Sequence, residues 1–189
     1  LRQLSEQRPQ DCEVLFSFGY ALRCQHHPEL AIQYFERARQ YGNADPELLL
    51  NHGIALRELG RVDEAIEIFD GIRASRPGFE QALWHRSLAY LLKGDFHRGW
   101  EHYDLRLLSK DRAQRSQDYA PWQGENPDGS AVLVYGEQGL GDEIMFASCL
   151  PQLIEKSRHC VIECTDKLLP LFQRSFPGAV VRPAAPPAR

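Results

Sequence analysis

No stretch of this 189-residue chain approaches the roughly 20 consecutive apolar residues that a membrane-spanning helix needs. Its opening residues do not read as a secretory leader either. A basic excess is also missing: 22 Lys and Arg face 26 Asp and Glu, for a net charge of -4, which argues against a general nucleic-acid binder. Cysteines are few, five in all, with no CxxC pair. The seven histidines form no HExxH and no cluster with cysteine at zinc spacing, so no metal site is expected. Cys160 and Cys164 share a strand face, but two thiols alone make a poor metal site. The expectation is a soluble cytoplasmic protein whose reduced cysteines pack as small hydrophobes.

What the sequence does contain is a repeat with a period of 34. Gly19 and Gly53 are one period apart, as are Ala31, Ala65 and Gly99, and Phe35, Phe69 and Tyr103. Leu22, Leu56 and Tyr90 keep the step, and so do Gly60 and Gly94. The period and the sizes of these residues resemble the tetratricopeptide repeat. Each unit reads as two helices, with small residues where the pair approaches closely and an aromatic residue between one pair and the next. Asp45-Pro46 reads as an N-cap followed by a helix-starting proline. Gly60 and Gly94 end first helices, and Asp63 and Asp95 lie near the start of second ones.

Three units are expected, at 12–45, 46–79 and 80–113, after the tail of a preceding one. The chain opens in mid-helix without an initiator methionine, so a fragment is expected. First helices of such repeats line a groove. The lining residues predicted from repeat position are Phe16, Ser17, Tyr20, Leu50, Asn51, Ile54, Trp84, His85 and Leu88. They are apolar and aromatic, without the Lys/Asn arrangement that clamps a C-terminal carboxylate. Two readings stand side by side: a groove for an apolar peptide or a segment of the same chain, or residues that simply pack within the repeats. The third unit departs from the pattern, with Ser87 in a glycine position and Gly99-Trp100 where Ala and a modest side chain are expected.

Helical periodicity is lost over 109–130, a stretch marked by Pro121, Gly124, Pro127 and Gly129. The predicted linker is 114–130, with Trp122 packed on a neighbouring domain. AVLVYG (131–136) then reads as a buried parallel strand, HCVIEC (159–164) as a second and AVVR (179–182) as a third, with helices between. A helix after the first strand is predicted to place Ile144, Ala147, Cys149, Leu150 and Ile154 mostly on one side, with Pro151 kinking or restarting it. The fold class is mainly α: a tetratricopeptide-repeat array over 1–113, then a partial Rossmann-like α/β unit over 131–183, with a disordered tail at 184–189.

The loop YGEQGLGDEIMF (135–146) is not a Walker phosphate loop, which needs Gly-Lys-Ser/Thr where Gly141-Asp142-Glu143 stands. It lacks the GxGxxG spacing of a dinucleotide fingerprint. What remains is Asp142, at the start of a helix and the carboxyl edge of a sheet, where open α/β sheets bind ligands. That carboxylate is suited to accept a proton, and equally to cap its helix with no catalytic duty.

GDFHRGWEHYDLR (94–106), PWQGE (121–125), VLVYGEQGLGDEIMFASCLP (132–151), VIEC (161–164) and FPGAVV (176–181) together resemble a bacterial arrangement. In it, tetratricopeptide repeats precede a glycosyltransferase domain similar to the heptosyltransferases. The resemblance implies Asp142 as the base that activates an acceptor hydroxyl, Gly139 and Gly141 shaping its loop, and Glu137 and Gln138 contacting acceptor or donor. It implies a fold of two Rossmann-like halves, of which this chain holds the start of the first. The nucleotide-sugar donor is therefore expected only for the intact protein, and no cofactor for this chain. The expected partners are a protein or peptide in the repeat groove and a glycan or protein acceptor. The alternative is a pure protein-interaction scaffold in which the α/β piece is a structural cap.

Overall fold

Helix punctuation recurs with the repeat. α1 (Arg2–Gln7), α2 (Cys12–Cys24), α3 (Pro28–Tyr41), α4 (Pro46–Glu58), α5 (Val62–Ser75), α6 (Glu80–Lys93) and α7 (Phe96–Trp100) follow one another in the first unit of the computed structural model. The structure describes residues 2–42, 45–108 and 122–184. The chain divides into two compact units, Leu1–Arg112 and Ala113–Arg189. The Asp11 carboxylate caps α2 by accepting from the backbone of Glu13 and Val14. Asp45, one period later, does the same for α4 through Glu47, with Pro46 at the first helical position. The turns after α2, α4 and α6 also share a conformation: His26, Gly60 and Gly94 have φ of 61°, 75° and 83°. These left-handed positions are 34 apart. The first is held by a histidine, against the steric cost of a Cβ there.

The glycines on the first helices are required by packing. A Cβ on Gly19 would lie 2.8 Å from the Phe35 ring, and one on Gly53 would lie 2.6 Å from Phe69. Both phenylalanines are fully buried. Each ring also reaches the next repeat, where it meets His52 at 6.3 Å or His85 at 6.1 Å between centroids. The aromatic residues thus fill the space within a pair as well as the space to the following one.

The third unit breaks this scheme. α7 stops after five residues and a 3₁₀ turn, Tyr103–Leu108, replaces the expected second helix. Gly99 packs on Leu91, so the close approach has moved to the other helix of the pair. Tyr103 does not take the phenylalanine position; its ring meets Trp100 edge-on at 4.9 Å. Buried Ser87 stands where the glycines stood. Beside buried Ala82 and Ala89, this unit carries a polar cluster. Tyr90 lies between the guanidiniums of Arg86 and Arg98, at 4.7 and 4.4 Å from its centroid. Both donate to its hydroxyl, and Arg86 also donates to Asp70 at 2.7 Å.

In the second unit β1 (Ala131–Tyr135), α8 (Leu140–Phe146), α9 (Leu150–Lys156), β2 (His159–Cys164), α10 (Leu169–Ser175) and β3 (Val180–Pro183) alternate. The strands form a parallel sheet in the order β1-β2-β3. Val134, Ile162 and Val181 pair across it on the face that carries Cys160 and Cys164. Leu150, Leu168 and Phe172 pack in the same core. On the other face Leu133, Val161 and Val180 are only half-buried to exposed, while Glu163 is buried. Pro151 does restart the helix: a 3₁₀ turn, Ala147–Cys149, separates α8 from α9. That break rotates Ile144 and Cys149 into solvent, so the predicted single apolar side holds only for Ala147, Leu150 and Ile154. Trp122 is exposed and its indole donates to Glu125 O at 2.8 Å within a local turn. Residues 114–121 of the predicted linker and the tail from 185 lie outside the described residues.

The packing role of the first-helix glycines has a direct consequence. Gly53→Val forces a side chain into Phe69 and is expected to cost about 2 kcal/mol. Gly71→Ala, in α5 with nothing within 4 Å of its Cβ, is expected to gain about 1 kcal/mol from helix propensity. Urea unfolding followed by circular dichroism reads both.

Candidate functional site on the first helices of the repeats

Spacings of four and three residues share a helix face. Phe16, Tyr20 and Arg23 therefore line one side of α2, Leu50, Ile54 and Arg57 of α4, and Trp84, Leu88 and Leu91 of α6. Not all of the predicted lining residues are available to a ligand. Tyr20 is 46% exposed, and Phe16, Trp84, His85 and Leu88 are half-buried. Leu50 and Ile54 belong to the buried core, because α4 packs against both α3 and α5 and also meets α2 and α6. Asn51 is buried too, its amide donating to Glu47 O at 2.8 Å. These three side chains are enclosed by the repeat packing. Ser17 is exposed beside Phe16.

Two arginines one period apart, Arg23 and Arg57, join this face and were not singled out from the sequence, although their spacing of 34 is visible in it. Arg23 lies over the Tyr20 ring at 5.3 Å and pairs with Glu58 at 3.2 Å. Arg57 is half-buried; its Nε is enclosed with no hydrogen-bond partner among the described residues. Burial pulls Arg57 below its ordinary range, against the pull of Glu58, and the nearby Arg23 charge adds to the lowering. His85 sits close enough to feel both arginines. Burial lowers its pKa to about 3, with Arg57 and Arg23 contributing. Trp84 packs on His85 at 4.8 Å, with its indole nitrogen enclosed and unbonded. His52, buried on Phe35, is likewise lowered to about 4, by burial first and then by Arg39 and Arg61.

The glycine loop of the second unit joins β1 to α8. Asp142 is half-buried and its Oδ2 accepts from the Gly139 backbone at 3.2 Å, closing the first turn of α8. Its neighbour Glu143 is the long-range staple, accepting from Thr165 N at 3.0 Å across the carboxyl edge of the sheet. Gly136 lies against this staple: a Cβ on it would come within 2.6 Å of the Glu143 side chain and displace it. Gly139 and Gly141 have neither a positive φ nor a close neighbour that demands glycine. Glu137 and Gln138 are half-buried in the same loop. Glu163 is buried and pairs across strands with Arg182 at 2.7 Å. No group of three or more potential metal ligands occurs among the described residues.

Residues 25–90 match the model of the tetratricopeptide repeat family, and the helical part of the chain is a tetratricopeptide-repeat array. Among particular proteins, the chain is 28% identical over 160 residues to Protein FlbA of Caulobacter vibrioides. That alignment takes in 80% of this chain, which spans only 27% of FlbA's length. Two solved structures of the MamA protein are similar in fold. One superposes with a TM-score of 0.51 at 21% identity, covering 57% of this chain and 58% of MamA. The other, MamA of AMB-1, gives 0.52 at 20% identity, covering 57% and 66%. No described helix is long and apolar enough to cross a membrane.

The buried imidazole of His52 and the half-buried imidazole of His85 are expected to make the array sensitive to acid. Their folded pKa values, about 4 and about 3, lie below the 6.5 of a free imidazole. The unfolded chain therefore binds more protons, and stability falls as pH drops below 6.5. At pH 5 the expected loss is about 2 kcal/mol per histidine relative to pH 7. Thermal midpoints of the wild type and the double variant His52→Gln, His85→Gln between pH 7 and 5 check this, with a flatter profile expected for the variant.

Proposed function

We propose that the repeat array binds an extended protein segment along the face of its first helices, and that this is the main work of the chain. The observation that carries the reading is the exposed Tyr20. It lies 6.5 Å from Phe16, under Arg23, on the face that also presents Trp84 and Leu88. Aromatic side chains of this kind offer large contact area at low entropic cost. A cytoplasmic setting is supported by five cysteines that are all unpaired. Selection of a displayed random-peptide library on the immobilised chain tests the reading. Tyr20→Ala together with Trp84→Ala is expected to weaken the selected peptides at least tenfold while leaving the thermal midpoint within a few degrees. Undiminished binding by a folded double variant would remove this face from the function.

A second reading assigns the α/β unit to sugar transfer from a nucleotide donor to a hydroxyl acceptor of a glycan or protein. It rests on the heptosyltransferase-like run of residues. Support comes from a parallel sheet with Asp142 at its carboxyl edge. Gly139 and Gly141 add to it, since no steric or torsional demand within the described fold explains them. In this reading the Asp142 oxygen not engaged with Gly139 receives the acceptor proton. Asp142→Asn in the full gene product is expected to lower transfer at least a hundredfold, in an assay against several nucleotide sugars. Equal activity in both proteins would leave Asp142 with its capping role alone.

A further inference from the structure

Arg57 is out of balance with its surroundings. A half-buried guanidinium is costly unless its donors are satisfied, yet no hydrogen bond or ion pair holds Arg57 among the described residues. Arg23, one repeat earlier, faces the same region, and a single carboxylate, Glu58, serves that pair at 3.2 Å from Arg23. Two cations and one anion leave one positive charge. His85, half-buried and with its pKa lowered by burial, adds none. Half-buried Arg23 and buried Arg86 find carboxylates in Glu58 and Asp70, whereas Arg39 and Arg76, without an ion pair among the described residues, are exposed to water.

We propose that Arg23 and Arg57 form a carboxylate-binding subsite, so that the segment held by this face carries an aspartate or glutamate against Arg57. The subsite rests on the groove reading above and specifies the chemistry of its occupant. The terminal nitrogens of a planar guanidinium match a carboxylate in a two-point contact, while the enclosed Nε of Arg57 holds the fork in place. The single residual charge favours a monoanion over a phosphate or a nucleic-acid backbone. Tyr20 and Trp84 flank the position with aromatic surface, so the occupant places an apolar or aromatic residue close to its acid.

The experiment selects phage-displayed random dodecapeptides on the full chain, then measures the strongest binder and its acid-to-amide counterpart by fluorescence polarisation. The expected result is an acidic residue enriched at a fixed spacing from an apolar or aromatic one. Arg57→Gln is then expected to weaken the acidic peptide tenfold or more, as befits loss of a charge-assisted contact. The amide peptide should bind wild type and Arg57→Gln equally, and Arg73→Gln, outside this face, should behave as wild type. Thermal midpoints confirm that each variant is folded; should Arg57→Gln fail to fold, Arg23→Gln carries the same comparison. Enrichment of apolar peptides without an acidic preference overturns the subsite and leaves the groove reading intact. No enrichment at all overturns both.

Discussion

Everything on the repeat face depends on one contact: a glycine on a first helix pressed against a phenylalanine on the second. At Gly19 and Phe35, and again at Gly53 and Phe69, the ring occupies the place of a missing Cβ. This fixes how closely the pair packs. Since each ring also touches an imidazole on the next first helix, it fixes the step from repeat to repeat as well. The 34-residue period in sequence thereby becomes a period in space. Residues one period apart, such as Arg23 and Arg57, arrive as neighbours on a common face.

The third repeat shows what happens when that contact is removed. With serine at 87 there is no slot for an aromatic ring, and Tyr103 turns to Trp100 instead. The close approach is made by Gly99, and the interior is closed by Tyr90 between two arginines. Such a network is stable only while each polar group has its partner, and here Asp70 and Asp95 supply the anions. The second helix shortens accordingly. The repeat that ends the described array thus differs in chemistry as well as in length.

Much of this was legible in the sequence because glycine, proline and aspartate act locally. Gly60, Gly94, Asp45-Pro46 and the three apolar runs of the α/β unit mark their own elements. What local reasoning could not weigh was competition between neighbours. Leu50, Asn51 and Ile54 hold groove positions by repeat register, yet α4 is packed on several sides and they are core. Asp142 drew attention as the acid after the last glycine, while Glu143, equally plain in the sequence, is the one that ties two loops together. His26 gave no turn signal because histidine seldom occupies a left-handed turn, and only the step to Gly60 and Gly94 reveals it. The arginines were missed for a different reason: their importance lies in what fails to pair with them, which a sequence does not display.

The central claim is that the first helices present a face on which Arg57, beside the Arg23–Glu58 pair, receives an acid. The most direct measurement follows the side-chain Nε–Hε resonances of Arg23 and Arg57 by NMR while a library-selected acidic peptide is titrated into the full chain. The Arg57 resonance should move most, with smaller shifts at Arg23 and the Trp84 indole and none at Arg37 or Arg73 on the second helices. Shifts confined to the second helices, with Arg57 unmoved at saturation, would contradict the claim.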